Sequence, residues 1–380
     1  MKVSEALKNT FSGKKVLVTG NTGFKGSWLT IWLQELGAEM IGYSLEAPTT
    51  PNLFEIAQLG NTITHISGDV RDLAKITETV NHYRPQIVFH LAAQPIVLHS
   101  FEDPLETFNT NAIGTANLLE ACRDKSFIEA IVVITTDKCY DNKEWVWGYR
   151  ENDPLGGHDP YSASKAMAEI ATASYRHSFF SEKTPVATAR AGNVIGGGDF
   201  SDFRLIPDSM KALINKKPIE VRNPHSTRPW MHVLDPLYGY LSLAEKMVTQ
   251  GQEYAEAWNF GPLEADAITT KGMVEKSIEL WGDGDWIDAS TPNAKPEMNT
   301  LKLNWDKAAN RLGWTPTYPW HQSLTETVKW FKSFEQYLQD PNSLDMKKVC
   351  IDQIDTFMKM KNSAYNKEKG KADEIYSHTS

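Results

Sequence analysis

Two residues four apart, Tyr161 and Lys165, offer the plainest chemistry in this sequence. On a helix that spacing puts both on one face. A phenol is a weak base at neutral pH, because its ordinary pKa is about 10. A neighbouring ammonium and the positive end of a helix both favour the phenolate, and together they make a usable proton acceptor. The local sequence reads as a helix start, with Asp159 able to cap free N–H groups and Pro160 suited to the first turn. By itself such a pair is equally an ordinary feature of an amphipathic helix. Ahead of it, Ile131-Val132-Val133-Ile134 is an apolar β-branched run that stops abruptly at Thr135-Thr136-Asp137-Lys138, as a buried strand ending in a loop would.

The elements that must position these residues alternate along the chain. Residues 14–20 predict a buried strand. Gly20-Asn21-Thr22-Gly23-Phe24-Lys25-Gly26 then leads into a helical run that ends before Gly37. Strand, glycine turn and helix form a dinucleotide-binding opening: glycines let the backbone approach a pyrophosphate, and the helix N-terminus supplies N–H groups. The spacing is G-x-x-G-x-x-G. Further strands are predicted at Glu39–Tyr43, Ile63–Ile66, Ile87–Ala92, Ala130–Thr136 and Pro185–Ala189, and helices at Leu73–Tyr83, Asp103–Cys122 and Pro160 to about Phe180. This rhythm predicts an α/β chain with a Rossmann-like, doubly wound parallel sheet and ligands at the carboxyl ends of its strands. Asp69-Val70, Leu91-Ala92-Ala93-Gln94, Thr135–Lys138 and Arg190–Asn193 all fall at such ends. The dinucleotide domain is expected over 1–193 and a second, smaller α/β substrate-binding lobe over 194–350, with later segments returning to the first domain. Residues 361–380 read as a polar, mobile tail.

The chain has 380 residues, 41% hydrophobic and 23% charged, which is globular composition. A net charge of −9 argues against a general nucleic-acid binder. The cysteines, Cys122, Cys139 and Cys350, are far apart, without metal-ligand spacing, and fit a reducing compartment. His90, His99 and His232 also lack metal spacing, so no metal is expected. The first residues show no apolar signal core, and no run is long enough to span a bilayer. A soluble cytoplasmic protein is the expectation.

Taken together, the opening glycines, Asp69-Val70, Leu91-Ala92-Ala93, Asn111, Tyr161/Lys165 and Asn193 resemble the extended short-chain dehydrogenase/reductase superfamily. Within it the sequence is most similar to the CDP-glucose 4,6-dehydratase family. That narrower likeness rests on residues 20–28 (Gly-Asn-Thr-Gly-Phe-Lys-Gly-Ser-Trp), 43–54, 135–142 (Thr-Thr-Asp-Lys-Cys-Tyr-Asp-Asn) and 148–162. One departure lies at Pro296-Glu297-Met298-Asn299, where members tend to have His before the Glu.

The resemblance implies a redox cycle within one turnover. NAD takes the sugar C4 hydride while Tyr161, aided by Thr136, takes the 4-hydroxyl proton. A base then removes the C5 proton as an acid protonates the departing 6-hydroxyl, and the hydride returns to C6. Asp137 is implied as that acid. Lys138 is implied either as the C5 base, which must be neutral, or as a cation stabilising the enolate. Lys165 completes the catalytic set. Cofactor contacts are implied for Gly20, Thr22, Gly23, Phe24, Lys25, Gly26, Ser44, Asp69, Val70, Leu91, Ala92, Ala93, Tyr161 and Lys165. NAD is favoured over NADP because no Arg follows the second strand to meet a 2′-phosphate. Substrate contacts are implied for Gln94, Asn193, Arg228 and Asn259. The partner is a nucleotide sugar, and a homo-oligomer (dimer or tetramer) is expected, with no nucleic acid or membrane. The alternatives are a dehydratase or 4-epimerase for another nucleotide sugar and a non-catalytic NAD-binding regulator.

Overall fold

Seven strands find one another in a single parallel sheet. In the computed structural model, which describes residues 3–263, 267–290 and 301–377, they are β1 (Lys15–Thr19), β2 (Glu39–Ser44), β3 (Thr64–Ser67), β4 (Ile87–His90), β5 (Ala130–Ile134), β6 (Val186–Ala191) and β11 (Ala257–Phe260). The order is β11-β6-β5-β4-β1-β2-β3, and every pairing is parallel. β4, β5 and β6 are buried at every residue, because helices cover both faces. The chain reverses its direction of growth between β1 and β4, and an open α/β sheet binds its ligands at that switch.

The helices are α1 (Val3–Phe11), α2 (Phe24–Glu35), α3 (Leu53–Ile56), α4 (Leu73–Tyr83), α5 (Val97–Glu102), α6 (Pro104–Phe108), α7 (Gly114–Cys122), α8 (Pro160–Tyr175), α9 (Leu205–Ile214), α10 (Leu234–Gln250), α11 (Thr270–Trp281), α12 (Trp320–Gln339) and α13 (Met346–Ser377). α4 starts and stops where the sequence predicts, capped by Asp72. The predicted helix over Asp103–Cys122 is capped by Asp103 but widens into a π turn at Asn109–Ile113. That turn aims Asn111 inward, where Nδ2 donates to Ser164 Oγ at 2.8 Å and to the Gln94 carbonyl at 3.1 Å. α8 begins as expected: Asp159 accepts from Ser162 N at 2.9 Å and from Ser162 Oγ at 2.6 Å. α1 and α3 lay outside the sequence prediction.

Beyond β6, in the part of the chain expected as the smaller lobe, three two-stranded pairs stand among the described residues: β7 (Val194–Ile195) with β10 (Met231–His232), β8 (Ile219–Val221) with β13 (Trp286–Asp288), and β9 (Thr227–Pro229) antiparallel to β12 (Ala267–Thr269). β11 returns to the main sheet, and α13 packs on α2 with Phe357 edge-on to Trp32 at 5.8 Å between ring centroids. The polar stretch from 361, expected as a tail, is helical to Ser377. Lys361 is buried in that helix and donates to the Thr315 carbonyl at 2.6 Å. Lys, Glu and Ala recur along the stretch and are strong helix formers. The departure at Pro296 lies outside the described residues. No helix among the described residues is long and apolar enough to cross a membrane.

Candidate active site

A cleft of about 1120 Å³ opens at the β1/β4 switch and runs past Tyr161 into the smaller lobe. Its floor is the glycine loop. Gly20 holds φ at +72°, and a Cβ there would stand 2.7 Å from Ala92 N. A Cβ on Gly26 would fall 2.1 Å from the Gly20 carbonyl oxygen. The loop therefore folds directly on the first turn of α2, whose N-cap, Gly23, brings no side chain to its free N–H groups. Those groups suit a pyrophosphate. At the end of β2, Ser44 Oγ stands 3.0 Å from both Asn21 Oδ1 and Thr22 Oγ1 and shares its one proton between them, and Glu46 lines the cleft beside it. A carboxylate suits a ribose hydroxyl and repels a 2′-phosphate. The residues present thus fit a dinucleotide, NAD rather than NADP. Glu46 escaped the sequence reading because it stands two residues past the strand end.

The residues expected to transfer protons meet at the carboxyl end of β5. Thr136 Oγ1 donates to Asp137 Oδ1 at 2.9 Å, and both residues are buried. Gly192 leaves room for that carboxyl: a Cβ there would lie 1.9 Å from Asp137 Oδ2. Lys138 is exposed on the cleft wall. Burial pushes the Tyr161 phenol up to about 12, against the pull of a hydrogen bond with Thr136 and of the Arg204 guanidinium. Lys165 Nζ also reaches the Ile134 carbonyl at 3.4 Å, and the Arg204 guanidinium adds a second cation that favours the phenolate. Arg204 stands at the N-cap of α9 and is held by the buried Asp199 at 3.0 Å. Its sequence signal, a lone Arg ahead of an apolar helix, is too common to single out. Lys25 also faces this end of the cleft: burial, Arg204 and Lys165 push its ammonium down to about 8.

Most of the residues named from the sequence line this one cleft: the glycine-loop set, Ser44, Asp69, Val70, Leu91, Ala92, Ala93, the Thr136–Lys138 run, Tyr161, Lys165, Asn193 and Arg228. Asp69 is committed in part to Arg71, whose Nη2 donates to it at 2.6 Å. Two residues are not brought to the wall. Gln94 spends its side-chain amide on Thr107 Oγ1 at 2.9 Å and on Ile96 N. Asn259 is fully buried in β11; its Oδ1 accepts from Tyr140 OH at 2.8 Å and its Nδ2 donates to the Tyr149 and Asn304 carbonyls. Both are fasteners of loops. On the smaller lobe, Arg222 joins Arg228 and Asn193 along the wall. His90 is likewise structural, bonded to Thr19 Oγ1 and Thr115 Oγ1 across β1, β4 and α7.

Residues 17–327 match the model of the GDP-mannose 4,6 dehydratase family. The chain belongs to that family. A CDP-glucose 4,6-dehydratase of Salmonella typhimurium is 48% identical over 334 residues, covering 86% of this chain and 93% of that protein. A dTDP-glucose 4,6-dehydratase of Xanthomonas campestris is 26% identical over 338 residues, 85% of this chain and 94% of its own. Among solved structures, a dTDP-glucose 4,6-dehydratase from Bacillus anthracis in complex with NAD superposes with a TM-score of 0.71 at 24% identity, covering 86% of this chain and 98% of that one. A UDP-glucose 4-epimerase from Thermotoga maritima superposes with a TM-score of 0.73 at 21% identity, covering 84% and 99%. At such identities the family's structural neighbours establish the shared fold.

Proposed function

We propose that this chain is a nucleotide-sugar 4,6-dehydratase that converts CDP-glucose to CDP-4-keto-6-deoxyglucose and water, using NAD. The observation that carries the reading is Asp137, a buried carboxyl lodged between Thr136 and Gly192 in the same cleft as Tyr161. A 4-epimerase needs proton transfer at one oxygen, which Tyr161 and Thr136 supply. Expelling the 6-hydroxyl needs a second acid. Bound in the glycine cradle, NAD supplies a hydride acceptor that is restored within the turnover. Tyr161 and Thr136 take the 4-hydroxyl proton, and Asp137 protonates the leaving oxygen. Lys138, on the cleft wall beside Asp137, takes the C5 proton in its neutral form as the 6-hydroxyl leaves, and gives a proton back to C5 once the hydride has reached C6. Arg228 and Arg222 are suited to two diphosphate oxygens, with Asn193 beside them. Identity of 48% to a CDP-glucose enzyme, against 26% to a dTDP-glucose one, supports the cytidine nucleotide.

The test is a panel of CDP-, dTDP-, UDP- and GDP-glucose read by mass. CDP-glucose is expected to lose one water, to carry a C4 deuterium to C6, and to take one solvent deuterium at C5. The other nucleotides are expected to fall at least ~10-fold lower in kcat/KM. Turnover without change of mass would mean an epimerase, and no turnover across the panel a non-catalytic NAD binder; either result sinks the reading.

We also propose a homo-oligomer, dimer or tetramer, in a reducing cytoplasm. Its support is exposed apolar side chains on neighbouring helices: Leu105 is 73% exposed on α6 and Ile170 58% on α8, and Ile113 and Met167 are exposed as well. Such side chains favour association. Sedimentation at micromolar concentration is expected to show a dimer or larger; a monomer would contradict this. The three cysteines are free and buried, which suits that compartment.

A further inference from the structure

Helix α8 grips the end of β5 at three successive turns. Tyr161 feels the pull of Thr136, Lys165 donates to the Ile134 carbonyl, and Glu169 accepts a short hydrogen bond from Thr135 Oγ1. Residues 161, 165 and 169 recur every four positions on one helical face, and their partners are three consecutive residues of the strand end. Glu169 is 3% exposed. Its other oxygen accepts from Thr188 Oγ1 at 2.7 Å and Arg190 Nη2 at 2.8 Å. Arg190, equally buried, donates on to Tyr140 OH at 2.6 Å and to the Glu151 carbonyl at 3.0 Å. A buried ion pair is weak evidence for stability, because desolvation offsets the attraction. Its place beneath the reacting residues gives this one another use.

We infer that Glu169 is a positioning residue for the reaction: it fixes Thr135, and through it Thr136 and Asp137, against α8, and sets a negative charge one turn below the Lys165 ammonium. The inference rests on the dehydratase reading for its kinetic readout only. Burial pushes Lys165 down to about 8, while Glu169, and after it Cys139, push it back up. Lys25 on α2 and His90 on β4 also sense the Lys165 charge. Arg190 on β6 and Arg176 at the end of α8 face Glu169 itself. Removing the Glu169 charge therefore lowers Lys165 further, so its ammonium is lost at lower pH.

Two variants test this. Glu169→Gln leaves Arg190 buried without its carboxylate, so it is paired with Glu169→Gln/Arg190→Gln, which removes both charges and mends the fold. In both, kcat is expected to fall about 10-fold with KM little changed, and the basic limb of the kcat profile to move to lower pH. NMR titration of 13Cε-labelled lysine, with Lys165 assigned through Lys165→Arg, is expected to show the same downward move in the ligand-free protein. A double variant with native thermal stability, an unmoved Lys165 midpoint and an unmoved limb would overturn the proposal, leaving the pair purely structural. Should no sugar turn over, the NMR midpoint still decides for or against Glu169.

Discussion

Replacing Tyr161 with Phe is expected to lower kcat on CDP-glucose by about 10³–10⁴-fold, in the range of a lost general base, with KM and thermal stability little changed. The ring is 9% exposed, and Phe keeps its packing while removing one oxygen. What is lost is the hydroxyl that hydrogen-bonds Thr136 and feels Arg204. The pH dependence carries a sign. With burial holding the phenol up at about 12, the protonated form dominates at neutral pH, and a base acts only when deprotonated. In the native enzyme kcat/KM should therefore climb with pH on the acid side. Arg204→Gln removes a cation that pulls the phenol down, so its climb should sit at higher pH still. In Tyr161→Phe the climb should vanish. A Phe variant keeping a tenth of native kcat, or the same rise with pH, would remove Tyr161 from the base role.

The parts of this site that were legible in the sequence are those whose backbone does the work. Gly20 and Gly26 announce themselves because the left-handed turn and close approach to Ala92 at the first, and the packing on the Gly20 carbonyl at the second, admit nothing larger. The strand β5 and the capped start of α8 follow from an apolar β-branched run and from Asp159-Pro160, and these fix Thr136–Lys138 and Tyr161 at one sheet end. What sequence could not show is which way long side chains turn. Lys165, four residues from Tyr161, shares its face and also reaches back to the Ile134 carbonyl. Arg204 comes to the same phenol from beyond β6, a tertiary juxtaposition without local pattern. Gln94 and Asn259 have the composition of ligand-binding amides, but their groups are claimed by Thr107, Ile96, Tyr140 and two carbonyls. The polar residues after 360 read as a mobile tail because no apolar stripe runs through them; the described backbone there is helical to Ser377, continuing α13 from its anchor at Phe357. The smaller lobe was visible only as a loss of rhythm, since its two- and three-residue strands are too short to show alternation.

The sharpest consequence of the site's packing concerns Gly192, a residue with no chemistry of its own. Gly192→Ala is expected to cost dehydration about 10²-fold or more, close to the cost of Asp137→Ala. An added Cβ would stand 1.9 Å from Asp137 Oδ2 and 2.1 Å from its Cγ, so the carboxyl must leave its bond to Thr136. The backbone at 192 is not left-handed, so the methyl acts through contact and not through strain. The two variants should then be strongly non-additive, because each removes the same correctly placed acid. Asp137→Ala also clears the space the methyl needs, so Asp137→Ala/Gly192→Ala should dehydrate CDP-glucose as well as Asp137→Ala alone. Water loss measured by mass on the three variants decides the matter. If the double variant loses a further hundredfold, Gly192 acts on something other than Asp137; if Gly192→Ala dehydrates at the native rate, the carboxyl does not work from where it lies, and the acid must be sought elsewhere in the cleft.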